Sequence, residues 1–195
     1  MSKNYTFRPT SNWIYLGLIV AVEIWVIVSF ATAGKSDAAF ASILNSLAID
    51  LLFWVFVAYP KIVLTDSGIQ INNPLKSVKI GWLLVEEFET RYAFTVQTDK
   101  GNFRAWAATA PGRFTARSMH ESDMRGTGLT ERKVISPSDN PRTDSGVALI
   151  LALKRRDQAV KDKTANDELT KSFSWFNLAL TVTATALLLA NFIHV

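Results

Sequence analysis

Three long apolar runs break up an otherwise mixed chain, at about residues 13–33, 38–59 and 173–193. Each is close to the ~20 residues that cross a ~30 Å hydrocarbon core as a helix, so each predicts a transmembrane span. TAGKSD (Thr32 to Asp37) is a tight link, and the first two runs therefore predict an antiparallel helical hairpin. Between Pro60 and Ser172 the pattern changes to short alternations. KIVLT and IQINN flank DSG, a turn in which Gly68 is placed to take positive φ. SVKI follows the turn NPLK, with Pro74. VEEFETR and YAFTVQT read as further strands, and DKGN makes a hairpin into FRAWAA. About six strands in roughly fifty residues predict a small meander closed into a barrel or sandwich.

From Ala110 to Asp144 the chain is rich in Pro, Gly, Ser and both charges, and reads as a long irregular loop. DSGVALILALKRRDQAV then predicts a helix from about residue 146, with Ser145 as N-cap. Val147, Ile150, Leu151 and Leu153 are its expected apolar patch. The expected class is an α+β membrane protein: an N-terminal tail and hairpin over residues 1–59, a β domain capped by a C-terminal helix over 60–172, and a third span over 173–195. A rival reading of the first run is a signal peptide cleaved after ATA (Ala31 to Ala33). The length of the run and Glu23 within it count against that.

Composition agrees with a mixed protein. The chain is 49% hydrophobic and 19% charged, too apolar for an ordinary soluble domain and too charged for a pure bundle of spans. Without Cys there are no disulfides, thiolate metal sites or iron–sulfur ligands. Two His, His120 and His194, lie too far apart in sequence to suggest a metal centre. Of the net charge of +4, placement matters more than size. Lys3 and Arg8 precede the first span, Lys61 follows the second, and Lys154, Arg155, Arg156, Lys161, Lys163 and Lys171 precede the third. The opposite side offers Lys35, balanced by Asp37. The positive-inside bias thus predicts a multi-pass membrane protein, with N-terminus and central domain cytoplasmic and C-terminus outside.

The spans carry polar residues that need a reason. Glu23 and Asp50 lie about 14–15 Å from the cytoplasmic interface at 1.5 Å per residue, so in a hairpin they share a depth near the midplane. Ser42, Ser46 and Asp50 share one helix face. An ionised acid at that depth costs on the order of 2.5–3.5 kcal/mol. Two like charges cannot neutralise each other, so at least one is expected to carry a proton or to find a cation or donors elsewhere. No Lys or Arg lies inside any span, and a cationic partner would come from another subunit. Gly17 with Ala21, and Ala179, Thr183, Ala186 and Ala190, form small-residue faces suited to close helix approach. Glu23 is about 200° round the helix from Ala21, so the first span is expected to have neighbours on two sides.

No nucleophile elbow, phosphate loop or metal-binding His spacing is present. No catalytic residue, cofactor or metal site is expected, and neither nucleic acid nor a small-molecule substrate is an expected partner. The basic residues Lys61, Arg113, Arg117, Lys154, Arg155 and Arg156 are the candidates for contact with anionic headgroups, held nonspecifically, or with a protein partner.

The order of the motifs resembles the membrane-anchored pleckstrin-homology-like family common in actinobacteria. The resemblance runs over roughly residues 8–156 and rests on LTDSGI, the Trp82 segment before VEEF, WAATAPGR and the helix start at Ser145–Gly146. It implies a pleckstrin-homology-like barrel capped by a C-terminal helix; the third span departs from it. TDSG carries Asp66 and no cation, unlike the basic turn that grips phosphoinositides in eukaryotic members. A narrower resemblance is to the small membrane proteins that accompany the actinobacterial cytochrome bcc–aa3 respiratory supercomplex. Polar residues within the spans, the small-residue faces and the charged loop point to a non-enzymatic accessory or assembly subunit bound to a larger membrane complex, and the narrower resemblance implies that this complex is a respiratory one. An anionic-lipid or envelope-sensing module is the alternative, and a proton or ion path through Glu23 and Asp50 is a third reading.

Overall fold

The structure is a computed structural model that describes residues 4–110 and 137–193. Arg113, Arg117, His120 and His194, and most of the long loop expected over residues 110–144, lie outside the described residues. In chain order the elements are β1 (Tyr5–Phe7), α1 (Ser11–Thr32), α2 (Ser36–Phe53), β2 (Lys61–Leu64), β3 (Gly68–Asn72), β4 (Lys76–Gly81), β5 (Glu87–Glu89), β6 (Ala93–Thr98), β7 (Gly101–Thr109), α3 (Asp144–Lys161), β8 (Leu169–Phe173) and α4 (Trp175–Ile193). They fall into a sheet unit, Met1–Pro9 with Pro60–Phe173, and a helical unit, Thr10–Tyr59 with Ser174–Val195.

In the sheet unit the six expected strands are β2 to β7. They belong to two antiparallel sheets, an open five-stranded one in the order β1-β2-β3-β4-β8 and a three-stranded one in the order β5-β6-β7. Alternation explains their shared core. Ile62 and Leu64 of β2, Ile69 and Ile71 of β3 and Ile80 of β4 point inward, as do Phe94 and Val96 of β6. Burying each such side chain contributes about 1.5–3 kcal/mol. Ala148, Leu149, Ala152 and Ala159 of α3 close the same core.

Two strands escape a reading of alternation. β1 comes from the N-terminal tail, which therefore belongs to the sheet unit and not to the hairpin. β8 comes from the segment before the third apolar run and pairs along β4, from Lys76↔Phe173 to Ile80↔Leu169. Both are edge strands, β1 is only three residues long, and neither contributes a fully buried residue, so neither carries a strong apolar signature.

Three local expectations are corrected. Gly68 does not take positive φ; it is needed because a Cβ there would lie 2.3 Å from the backbone oxygen of Ile80. The N-cap of α3 is Thr143, whose hydroxyl accepts from the Gly146 amide at 3.1 Å. Ser145 instead lies inside the first turn and donates to the Ser138 carbonyl at 2.8 Å. The buried face of α3 is Ser145, Gly146, Ala148, Leu149, Ala152, Arg155 and Ala159. Ile150, Leu151 and Leu153 pack only at its margin. Small residues take the central line because the helix lies close against β6 and β7.

Arg155 sits on that buried line, with 9% of its side chain exposed, and forms an ion pair with Asp66 in the β2–β3 turn. Its guanidinium also lies 5.6 Å from the centroid of the Tyr5 ring in β1. The same turn is held by the Trp82 indole, which donates to the Thr65 carbonyl at 3.0 Å, and by Thr164, which donates to the Asp66 carbonyl at 3.0 Å.

In the helical unit, α1 and α2 form the expected hairpin, and α2 ends in a π-helical turn, Trp54–Ala58. Asn12 donates to the Val57 carbonyl in that turn at 2.7 Å, pinning the start of α1 to the end of α2. The spans Ser11–Thr32 and Ser36–Ala58 are long and apolar enough to cross a membrane. No residue of α1 is buried, and Trp25 is 70% exposed, so this is not the core helix of a soluble domain. The third apolar helix, α4, packs along α2.

Two substitutions test this account by unfolding the full chain in micelles. Gly146→Ala places a Cβ 1.9 Å from the backbone oxygen of Asn140 and is expected to cost about 2–4 kcal/mol. Asp66→Asn removes the acidic partner of a buried guanidinium and is expected to cost about 1–3 kcal/mol, below the range for a fully buried pair because Asp66 is partly exposed. Arg155→Met should cost less than Asp66→Asn, since an apolar side chain of similar length needs no partner.

Candidate functional site

The half-buried positions of α1, among them Leu16, Ile19, Glu23, Val26 and Phe30, recur every three or four residues and form the face that meets α2. Glu23 is therefore on the packing face of the hairpin. Asp50 of α2 is also half-buried. Glu23 Oε1 and Asp50 Oδ1 are both enclosed by protein atoms and have no hydrogen-bond partner among the described residues. Ser46 is half-buried one turn before Asp50 on the same helix.

The small-residue faces are turned outward. Gly17 and Ala21 are exposed, and a Cβ at Gly17 would meet nothing within 4 Å. Ala179, Thr183, Ala186 and Ala190 are exposed as well. The packing line of α4 is instead Asn177, Thr181, Ala184, Leu188 and Asn191, at helical spacing. Hydrogen bonding selects this line. Asn191 donates to the Ala41 carbonyl at 2.8 Å and to Asn45 Oδ1 at 2.9 Å, both on α2.

The basic cluster of α3 is divided by the helix period. Lys154 is exposed, but Arg155 is buried against Asp66, and Arg156 donates to the Val85 carbonyl. Arg155 is thus withdrawn from any headgroup or partner, because position 155 falls on the line of 148, 152 and 159. Lys61 is half-buried in β2.

A different set of cations lines an open groove of about 600 Å³ in the sheet unit. Lys76 of β4, Arg104 and Trp106 of β7, and Lys171 and Phe173 of β8 border it, and no Asp or Glu does. Asn73 builds the junction. Its side-chain amide donates to the Arg104 carbonyl at 2.8 Å and its Oδ1 accepts from the Trp106 amide at 2.9 Å, tying the two sheets together. The Lys171 ammonium lies 5.1 Å from the centroid of the Phe103 ring. Among the described residues none of Lys76, Arg104 and Lys171 forms an ion pair. Arg104 also borders a smaller cavity of about 340 Å³ with Glu89 and Tyr92, where Glu89 accepts from Gln97 at 3.1 Å. Composition and spacing do not reveal this groove. Arg104 and Trp106 alternate onto one face of a legible strand, but Lys76 and Lys171 meet only through the β4–β8 register.

A second cavity, of about 420 Å³, is bordered by Lys79 and Glu168 with Gln70, Asn166 and Thr170, a balanced and uncommitted polar lining. No group of three or more His, Cys, Asp or Glu that could hold a metal ion occurs among the described residues.

The contact between α2 and α4 can be tested directly. A double-mutant cycle on Asn45→Ala and Asn191→Ala is expected to give a coupling of about 0.5–1.5 kcal/mol in micelles, typical of interhelical hydrogen bonds within membranes. Compared with family models, curated proteins and solved structures, the chain matches none.

Proposed function

We propose that this protein is a non-enzymatic accessory subunit that docks, through its helical unit, onto a larger complex of the bacterial plasma membrane. The observation that carries the reading is the pair of enclosed carboxyl oxygens on Glu23 and Asp50, with no donor among the described residues to meet them. The apolar helices contain no Lys or Arg. Polar groups in hydrocarbon are retained where they gain a partner; in this reading the enclosed oxygens lie between the protein's own helices, and the part of each half-buried residue left exposed meets a donor or cation from another subunit. The outward small-residue faces Gly17–Ala21 and Ala179–Thr183–Ala186–Ala190 support the same reading, since they let a further helix approach closely.

In this proposal α4 is a third span, and the basic residues near the helix ends hold the N-terminus and the sheet unit on the cytoplasmic side. Two antiparallel sheets sharing a core with a C-terminal helix support a pleckstrin-homology-like domain of the actinobacterial membrane-anchored type. A respiratory supercomplex is the partner to try first, with a structural or assembly role.

Gentle extraction of the tagged full chain, followed by mass spectrometry, tests the proposal. A stoichiometric membrane companion is expected. Glu23→Leu with Asp50→Leu should abolish its co-purification, although each change favours membrane insertion by about 2–3 kcal/mol or more. A wild-type chain that migrates alone would sink the reading.

A further inference from the structure

We infer that the groove between Lys76, Arg104 and Lys171 is a binding site for the headgroup of an anionic phospholipid. Charge supplies the first reason. Three cationic residues from three strands border one groove of about 600 Å³, no carboxylate borders it, and none of the three is in an ion pair among the described residues. The Arg104 guanidinium rests 6.0 Å from the Tyr92 ring centroid, at the smaller cavity beside the groove, and would swing from there to reach an anion. Like charges gathered without counter-charge repel one another, and a phosphodiester relieves that repulsion while accepting hydrogen bonds from all three.

Place in the chain supplies the second reason. The polypeptide passes between the sheet unit and the helical unit three times: after β1, before β2 and after β8. The registers Phe7↔Ile62, Lys61↔Asn72, Asn72↔Ser77 and Lys76↔Phe173 put all three crossings at one end of the five-stranded sheet. Lys76 and Phe173 belong to that end, Lys171 lies two residues further in opposite Val78, and only Ser174 separates Phe173 from α4. Along the chain, Lys171 and Phe173 of the groove lie within four residues of an apolar helix, and at the ends of membrane helices lipid phosphates are the abundant anions.

Aromatic composition supplies the third. Trp106 on the rim is 53% exposed, and its amphipathic ring beside cations suits the level of the headgroups; Phe173, 40% exposed, adds an apolar ring at the same groove. This site is distinct from the β2–β3 turn, whose Asp66 is engaged by Arg155. Asn73 is its positioning residue: by holding the Arg104 and Trp106 backbones it sets the distance between β7 and β4.

The test uses the full chain in a neutral detergent, titrated with dihexanoyl phosphatidylglycerol, dihexanoyl phosphatidylcholine, glycerol phosphate or inorganic phosphate. Hydrogen–deuterium exchange is read over residues 73–78, 102–106 and 169–173. Phosphatidylglycerol is expected to protect these segments in a salt-sensitive manner, and phosphatidylcholine is not. Lys76→Gln, Arg104→Gln and Lys171→Gln combined should weaken the response roughly tenfold or more, whereas Lys79→Gln, on the same strand but outside the groove, should leave it unchanged. Lys76→Arg with Lys171→Arg, which keeps the charge, should retain binding. Equal protection by phosphatidylcholine, or an unaltered response in the triple variant, would overturn the site. Glycerol phosphate or inorganic phosphate acting at the same concentration as the lipid would overturn the lipid as its occupant.

Discussion

A buried guanidinium organises the sheet unit. Arg155 arises from α3, pairs with Asp66 in the β2–β3 turn and lies against Tyr5 of β1, so one side chain joins three segments that are far apart in sequence. A charge taken out of water must find its partners, and few alternative arrangements of these segments would supply them. The neighbouring bonds from the Trp82 indole and Thr164 hold the same turn. At the other end of α3, the Thr143 cap and the contact of Gly146 with the Asn140 backbone fix where the helix begins. Between these two anchors the line of small residues in α3 can lie close to the sheet.

Low dielectric imposes a second rule on the helical unit. Asn191 satisfies its amide on Ala41 and Asn45, and Asn12 satisfies its own on Val57. Each of these bonds crosses between helices, so polar groups select which faces meet. Glu23 and Asp50 obey the geometry but not the bonding rule, since an oxygen of each is enclosed without a donor among the described residues. The apolar and small residues left outside, Gly17, Ala21 and the α4 stripe, are then free to meet lipid or protein.

Periodicity made much of this readable. The apolar runs locate α1, α2 and α4 to within two or three residues, and alternation locates six strands, because burial on one face is written directly in residue order. The depth match of Glu23 and Asp50 is an expectation from rise per residue alone; the Asn12–Val57 bond sets the actual register of the two helices. Errors arose where long-range partners override local pattern. Arg155 looked like a membrane-facing cation until Asp66 took it, and Ser145 looked like a cap until Ser138 and Thr143 took their places. The α4 helix likewise meets α2 along the line of Asn177 and Asn191, set by hydrogen bonds and not by its small-residue stripe, which stays exposed.

Residue order by itself determined the division into apolar helices and alternating strands, the placement of charge relative to the helices, and the absence of thiol chemistry. These are properties of each residue and its near neighbours, and hydration energy alone is enough to set them. Tertiary structure decided which cations stay available. Lys76, Arg104 and Lys171 come from strands β4, β7 and β8, and only the pairing of β4 with β8 and the Asn73 bridge bring them to one groove. Strand pairing between distant segments is fixed by backbone hydrogen bonds that every residue can make, so no local pattern announces it.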